Sequence, residues 1–167
     1  MTSPRHRKLV YEFPSALEIT TTRDFAAPIG LVFDVFTKPE HVRHHFAPFG
    51  EEITVCDIDL RVGGGYHIVM VTEDGTECSF RGTYLEVDRP RRTVETWLFE
   101  GWPDAEAVET MDLTERDGVT TMNYRLAFRD QAGRDHMKTF EGHEASFNSA
   151  ADYLATLTES PIPASGA

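Results

Sequence analysis

The chain has 167 residues, 40% of them apolar, which suits one globular domain with its own core and excludes a disordered polymer. Sixteen basic residues face 28 acidic ones, a net charge of −12 that excludes a general nucleic-acid or anionic-membrane binder. The basic cluster Arg5-His6-Arg7-Lys8 is too short to change that and reads as solvated. Cys56 and Cys78 lie in strand-like runs outside any CxxC pattern, so both are expected as reduced, partly buried thiols of a cytoplasmic protein. MTSPRHRKLVYEFP is charged and broken by Pro14, so no signal peptide is expected, and no run reaches transmembrane length.

Residues 1–15 read as a flexible arm, 16–159 as one domain, and 160–167 as a flexible tail. LEITTTRDF (17–25) alternates with period two and predicts a strand. Pro28 opens a short helix with Val32, Val35 and Phe36 on one face. TKPE (37–40) has the form of a capping box, Thr37 with Glu40, starting a second short helix over about 38–46 that stops before Pro48.

Six strand-like runs follow, at 52–60, 66–72, 77–87, 92–100, 107–115 and 120–128. Asp74-Gly75, Asp88-Arg89-Pro90 and Asp117-Gly118 separate several of them as hairpin turns. At the end, apolar residues recur at three- and four-residue steps and predict one long helix over 136–158. Its inward residues are Phe140, Phe147, Ala150, Ala151, Leu154 and Leu157. A meander of about seven antiparallel strands exposes an apolar face, and this helix is the one element large enough to cover it. The expected fold class is α+β, a curved sheet around one long helix, with a cavity where the two cannot close perfectly.

The glycines of DIDLRVGGGYHIVM (57–70) test that reading. A phosphate loop needs a lysine, a hydroxyl and a following helix, and a dinucleotide loop also needs a helix next. Here an alternating strand follows, so the glycines mark a reversal between strands 52–60 and 66–72. DLRVGGGY, preceded by VFDVFTKPEHVRHHF and followed by FRGTYLEVDRPRRTVETW, resembles the START-like (SRPBCC) superfamily. The best resemblance is to the AHSA1-like branch, named after the activator of a heat-shock chaperone ATPase. The likeness runs over about 17–158 and includes the helix GHEASFNSAADYLATL. It implies a helix-grip (Bet v 1-like) fold without implying one chemistry. Where many members carry a Trp-Trp pair, this chain has His45-Phe46.

EHVRHHF (40–46) holds three histidines, and His41 with His44 or His45 could share a helix face at metal-binding spacing. No HExxH is present and a third ligand would have to come from His67 or His143, so no metal and no cofactor are assigned. His45 in the family's aromatic slot is expected to face the cavity, where an imidazole could act as acid, base or ligand-orienting donor. The expected cavity lining is His45, Phe46, Tyr66, Met70 and Tyr84, with Trp97, Met111, Met122 and Phe147, a mixture of aromatics and adaptable methionines. Arg61 and Arg91 are expected to tie turns through Asp59 or Asp88, and Gly82 to mark a bulge or bend. No GxSxG elbow accompanies Ser79, Ser146 or Ser149, so no catalytic residue is assigned beyond His45 as a candidate.

The primary expectation is a domain that binds a small hydrophobic molecule. The resemblance leaves two alternatives: a cyclase or aromatase-like enzyme using His45, or an interaction module with a chaperone partner. No nucleic-acid or membrane partner is expected, and pairing as a homodimer is compatible with a domain of this size.

Overall fold

The computed structural model describes residues 9–138 and 142–158. Eight antiparallel strands form one sheet: β1 (Val10–Glu12), β2 (Glu18–Phe25), β3 (Glu52–Ile58), β4 (Gly65–Val71), β5 (Glu77–Asp88), β6 (Arg92–Phe99), β7 (Ala107–Arg116) and β8 (Val119–Phe128). Their order across the sheet is β1-β2-β8-β7-β6-β5-β4-β3. Hairpins therefore link β3 through β8 in sequence. The one long excursion leaves β2, at the far side, and returns at edge strand β3, and α1 (Ile29–Thr37) and α2 (Pro39–Val42) occupy it. α3 (Gln131–Lys138) and α4 (Gly142–Thr158) follow the last strand.

The eighth strand is a correction to the sequence reading. Residues 10–12, expected in the flexible arm, pair with Thr20–Thr22 of β2. Leu9 explains the anchoring, because its side chain is buried in the core beside Phe25 and Ala27.

Local chemistry accounts for most boundaries. Pro28, with φ −64° and no N–H to lose, stands immediately before α1. The expected capping box does not form. Lys38 precedes α2 without a side-chain cap, and buried Thr37 donates its hydroxyl back to the Phe33 carbonyl at 2.6 Å. Thr37 lies on the core-facing side of α1, where a carbonyl of its own helix is the nearest acceptor. Beyond α2 the chain keeps turning, with the His45 and Phe46 N–H groups both donating to the Val42 carbonyl. The Asp117-Gly118 turn has positive φ at both residues, 53° and 78°, as a two-residue hairpin requires.

The glycine run is a strand-to-strand reversal over 59–64 that docks on β5. Gly63 has φ +83°, and its N–H donates to the Tyr84 carbonyl at 2.9 Å while the Tyr84 N–H donates to the Gly64 carbonyl at 2.8 Å. Arg61 reaches Asp59 at 2.8 Å and Arg91 reaches Asp88 at 3.3 Å, both on the surface, where such pairs contribute about 0–1 kcal/mol.

The core lies between the sheet's inner face and the helices. Phe147, Ala150, Ala151 and Leu154 of α4 pack with Phe25, Val32, Phe33 and Val35 and with Met111, Leu113 and Met122. A second cluster joins Trp97, Phe80, Leu126 and Phe128 to Met137 of α3. Of the helix expected over 136–158, α3 and α4 take all the described residues, and α3 begins earlier, at Gln131, where the Asp130 carboxylate accepts the Gly133 N–H at 2.9 Å. Phe140 lies outside the described residues. Leu157, expected inward, is 37% exposed, because it sits in the last turn of α4, past the sheet.

Candidate functional site

Period-two alternation sends residues 93, 95 and 97 of β6, 107, 109, 111 and 113 of β7, and the even-numbered residues 120–128 of β8 to the inner face. Where α4 and the 42–49 turn do not fill the space above that face, they leave a cavity of about 150 Å³. The structure puts seven of the nine expected lining residues around it: His45 and Phe46 from the turn, Tyr66, Met70, Tyr84 and Trp97 from the sheet, and Phe147 from α4. Met111 and Met122 are corrections. They point to the same face but lie deeper under α4, packed with Phe25, Val32 and Phe33 in the solid core.

The aromatic walls contact one another. Phe36 stands 5.0 Å from His45 and 6.1 Å from Phe147, and Phe46 meets Phe80 edge-on at 5.2 Å. Pro48, Phe49 and Glu51 line one end, and Phe49 is 67% exposed, which marks that end as the mouth. There the Glu51 carboxylate accepts the Phe49 N–H at 2.9 Å.

His45 is 3% exposed, and its Nε2 lies 2.8 Å from the Val35 carbonyl. A carbonyl can only accept, so Nε2 carries the proton and Nδ1 is an acceptor, which has no protein partner. Burial lowers its pKa from 6.5 to about 4. The Val35 bond opposes that shift and the neighbouring His41 and His44 add to it. The imidazole is therefore neutral at physiological pH. Ser146 and Ser149 of α4 fix this turn by donating to the His45 and His44 carbonyls at 3.1 and 3.4 Å.

The other histidines diverge. His41 bonds the Tyr153 hydroxyl at 2.7 Å, His44 stacks on the Tyr153 ring at 4.5 Å, and His67 pairs with Ser79 at 2.9 Å on an exposed side of the sheet. No group of His, Cys, Asp or Glu among the described residues has metal-holding geometry. Cys56 and Cys78 are free thiols whose pKa values burial raises, which favours the thiol over the nucleophilic thiolate.

The floor of the cavity holds two carboxyl groups that the sequence reading passed over. Glu95 of β6 and Glu109 of β7 are directly opposed in the strand register, and both line the void. Burial raises the pKa of both. For Glu95 the nearby charge of Glu109 and the hydrogen bond between the two raise it further, and a hydrogen bond with Thr93 opposes this. For Glu109 the bonds from Tyr124 and Glu95 pull the other way. The two carboxyls thus form a hydrogen-bonded pair in which burial favours the protonated form, with Glu109 also bonded to the Tyr124 hydroxyl. One oxygen of Glu95, Oε2, is buried with no partner. Tyr66 and Tyr84 line the same space, their rings 6.0 Å apart, and burial raises the pKa of both phenols. Glu109 and Tyr124 are enclosed by protein, and the surface they retain faces the cavity.

The family described as Activator of Hsp90 ATPase homolog 1-like protein matches residues 26–159, from just before α1 through α4. The chain belongs to that family. It shares its fold with a protein from Rhodobacter sphaeroides at 21% identity and a TM-score of 0.81, over 90% of this chain and 99% of that one. A protein from Nitrosomonas europaea matches at 22% identity and 0.77, over 87% and 99%. One from Mycobacterium smegmatis matches at 24% and 0.75, over 89% and 96%. At these identities the likeness establishes the fold alone, a helix-grip arrangement of antiparallel sheet and C-terminal helix. No curated protein matches the sequence. Among the described residues no helix is long and apolar enough to cross a membrane.

Within this family member the carboxyl pair was detectable in principle. In RTVETWLFE Glu95 shares the parity of Trp97, and in AVETMDLTE Glu109 shares that of Ala107, Met111 and Leu113. An acid on the apolar parity of a strand is a signal of an inward polar group.

Proposed function

We propose that this domain binds a small, mainly apolar molecule in the cavity between the sheet, the 42–49 turn and α4. The observation that carries the reading is a partly open cavity of about 150 Å³ walled by aromatic rings, with the exposed Phe49 at one end. A void of that size takes a single aromatic ring. His45 suits a wall better than a proton donor, since it is neutral near pH 7 and its one N–H is committed to Val35.

The test is native mass spectrometry of the purified protein together with a thermal-shift titration by toluene and indole. A ligand at 100 times its Kd stabilises the native state by about 2.7 kcal/mol, a readily measured rise in Tm. Met70 lines the void, so Met70→Trp extends a ring into it and should abolish the shift. The absence of a co-purifying ligand and of any shift would overturn the proposal, as would an equal shift in Met70→Trp.

A further inference from the structure

We propose that the Glu95–Glu109 pair is the recognition centre for the amino group of a small aromatic amine. This rests on the cavity-binding reading and names the class of ligand.

The first observation is geometric. Two carboxyl groups face each other across β6 and β7 at the floor of an aromatic-walled void, joined by a hydrogen bond. The second is an unmet demand. Glu95 Oε2 and His45 Nδ1 are buried acceptors on lining residues, and neither has a partner. The natural complement to acceptors is a group rich in donors, and an ammonium offers three.

Charge decides between an amine and an alcohol. A hydrogen bond between two carboxyls holds one proton between them, so the charge of the second carboxyl is the one to be balanced, and among the described residues no lysine or arginine lines the cavity to do so. The other polar groups around it are the phenols of Tyr66, Tyr84 and Tyr124, which stay neutral, neutral His45, the Ser146 hydroxyl, and Glu51 at the mouth. A buried anion without a counter-ion is costly, and a cationic ligand supplies the missing charge where a hydroxyl does not. The rings of Phe36, Phe80 and Trp97 add favourable faces for a cation. The same arrangement repels carboxylates, so fatty acids and aryl acids are excluded as ligands. A chain of net charge −12, with Glu51 at the entrance, also draws cations inward.

Benzylamine, benzyl alcohol, toluene and benzoate, titrated into the full chain by calorimetry at pH 7, separate the outcomes. Benzylamine is expected to bind at least tenfold more tightly than benzyl alcohol or toluene, with benzoate giving no heat. Repeating the benzylamine titration in buffers of different ionisation enthalpy should show no net proton exchange, because the ammonium balances the one charge of the pair and the shared proton stays. Glu109→Gln, which removes that charge, should lower benzylamine affinity at least tenfold relative to toluene, and its circular dichroism spectrum should match the native one, which shows that the variant is folded. Equal binding of amine and toluene by the native chain, or a Glu109→Gln variant that keeps the amine preference, would overturn the amine proposal while the cavity reading stands. Failure of all four probes would overturn both.

Discussion

Replacing Glu95 with glutamine should flatten the dependence of stability on pH. The substitution swaps the proton-carrying carboxyl for a neutral amide of the same shape, so the cross-strand contact with Glu109 survives and the titration does not. A carboxyl whose pKa is raised in the fold keeps a proton that the unfolded chain has already lost. Its contribution is complete below the ordinary carboxylate value, 4.5 here, and declines as pH rises towards the folded value. Each proton held by the fold alone lowers stability by about 1.4 kcal/mol per pH unit. The native protein should therefore lose stability as pH rises above the ordinary carboxylate value, by at most about 1.4 kcal/mol per pH unit, and Glu95→Gln less. Urea unfolding followed by tryptophan fluorescence at pH 6, 7 and 8 measures this, with Glu52→Gln on the exposed β3 edge as the surface control. Parallel pH profiles for native protein and Glu95→Gln would refute the shared-proton arrangement.

His45 should produce the opposite slope in acid. Its pKa is lowered from 6.5 to about 4, so its contribution is full above 6.5 and about 3 kcal/mol is lost as pH falls towards 4, a loss that His45→Gln should remove in denaturation profiles. Gly82→Ala should destabilise by more than about 2 kcal/mol in urea. A Cβ there would lie 1.8 Å from the Thr96 carbonyl oxygen and 2.7 Å from the Tyr66 ring, so two strands would have to part. Met122→Ala, fully buried, should cost about 2–5 kcal/mol by thermal unfolding, whereas Phe49→Ala at the mouth should stay within about 0.5 kcal/mol and alter probe binding instead.

Alternation and turn chemistry made the sheet legible from the sequence, because each strand carries its own period and each hairpin its own Asp-Gly or Pro signal. The long α4 was legible for the same reason, and the family motifs fixed how these parts join. Capping at Thr37 was misread because a local motif competes with the side of the helix on which the residue lands, and burial decided it. The cavity was only half legible. Parity tells which face a residue takes but not whether a helix lies above it. Met111 and Met70 share the inner face, yet α4 covers the first and leaves the second beside the void. Glu95 and Glu109 stand 14 positions apart and meet only through the β6–β7 register, so their partnership is a property of the pairing and not of either segment. Arg23 on β2 is a similar case, an inward charge buried against Asn148 of α4, 125 residues away.

A gap left by imperfect packing would be apolar and dry, and its filling by methyl groups would stabilise the fold. This void differs in kind. Its floor carries two opposed carboxyls, and three tyrosines and a histidine line the space with them. A buried acid pair of this sort contributes less stability than two well-packed apolar side chains in the same positions. The rest of the inner face shows that such packing is available, with Met111, Leu113, Met122 and Leu126 all closely buried on neighbouring positions. The two carboxyls stand where packing is incomplete, while elsewhere on that face Thr21, Thr93 and Thr120 supply small hydroxyls and the inward charge of Arg23 is tied to Asn148. A fold that sacrifices core stability and leaves space at one place has put together the two ingredients of recognition, room for a ring and polar groups to orient it.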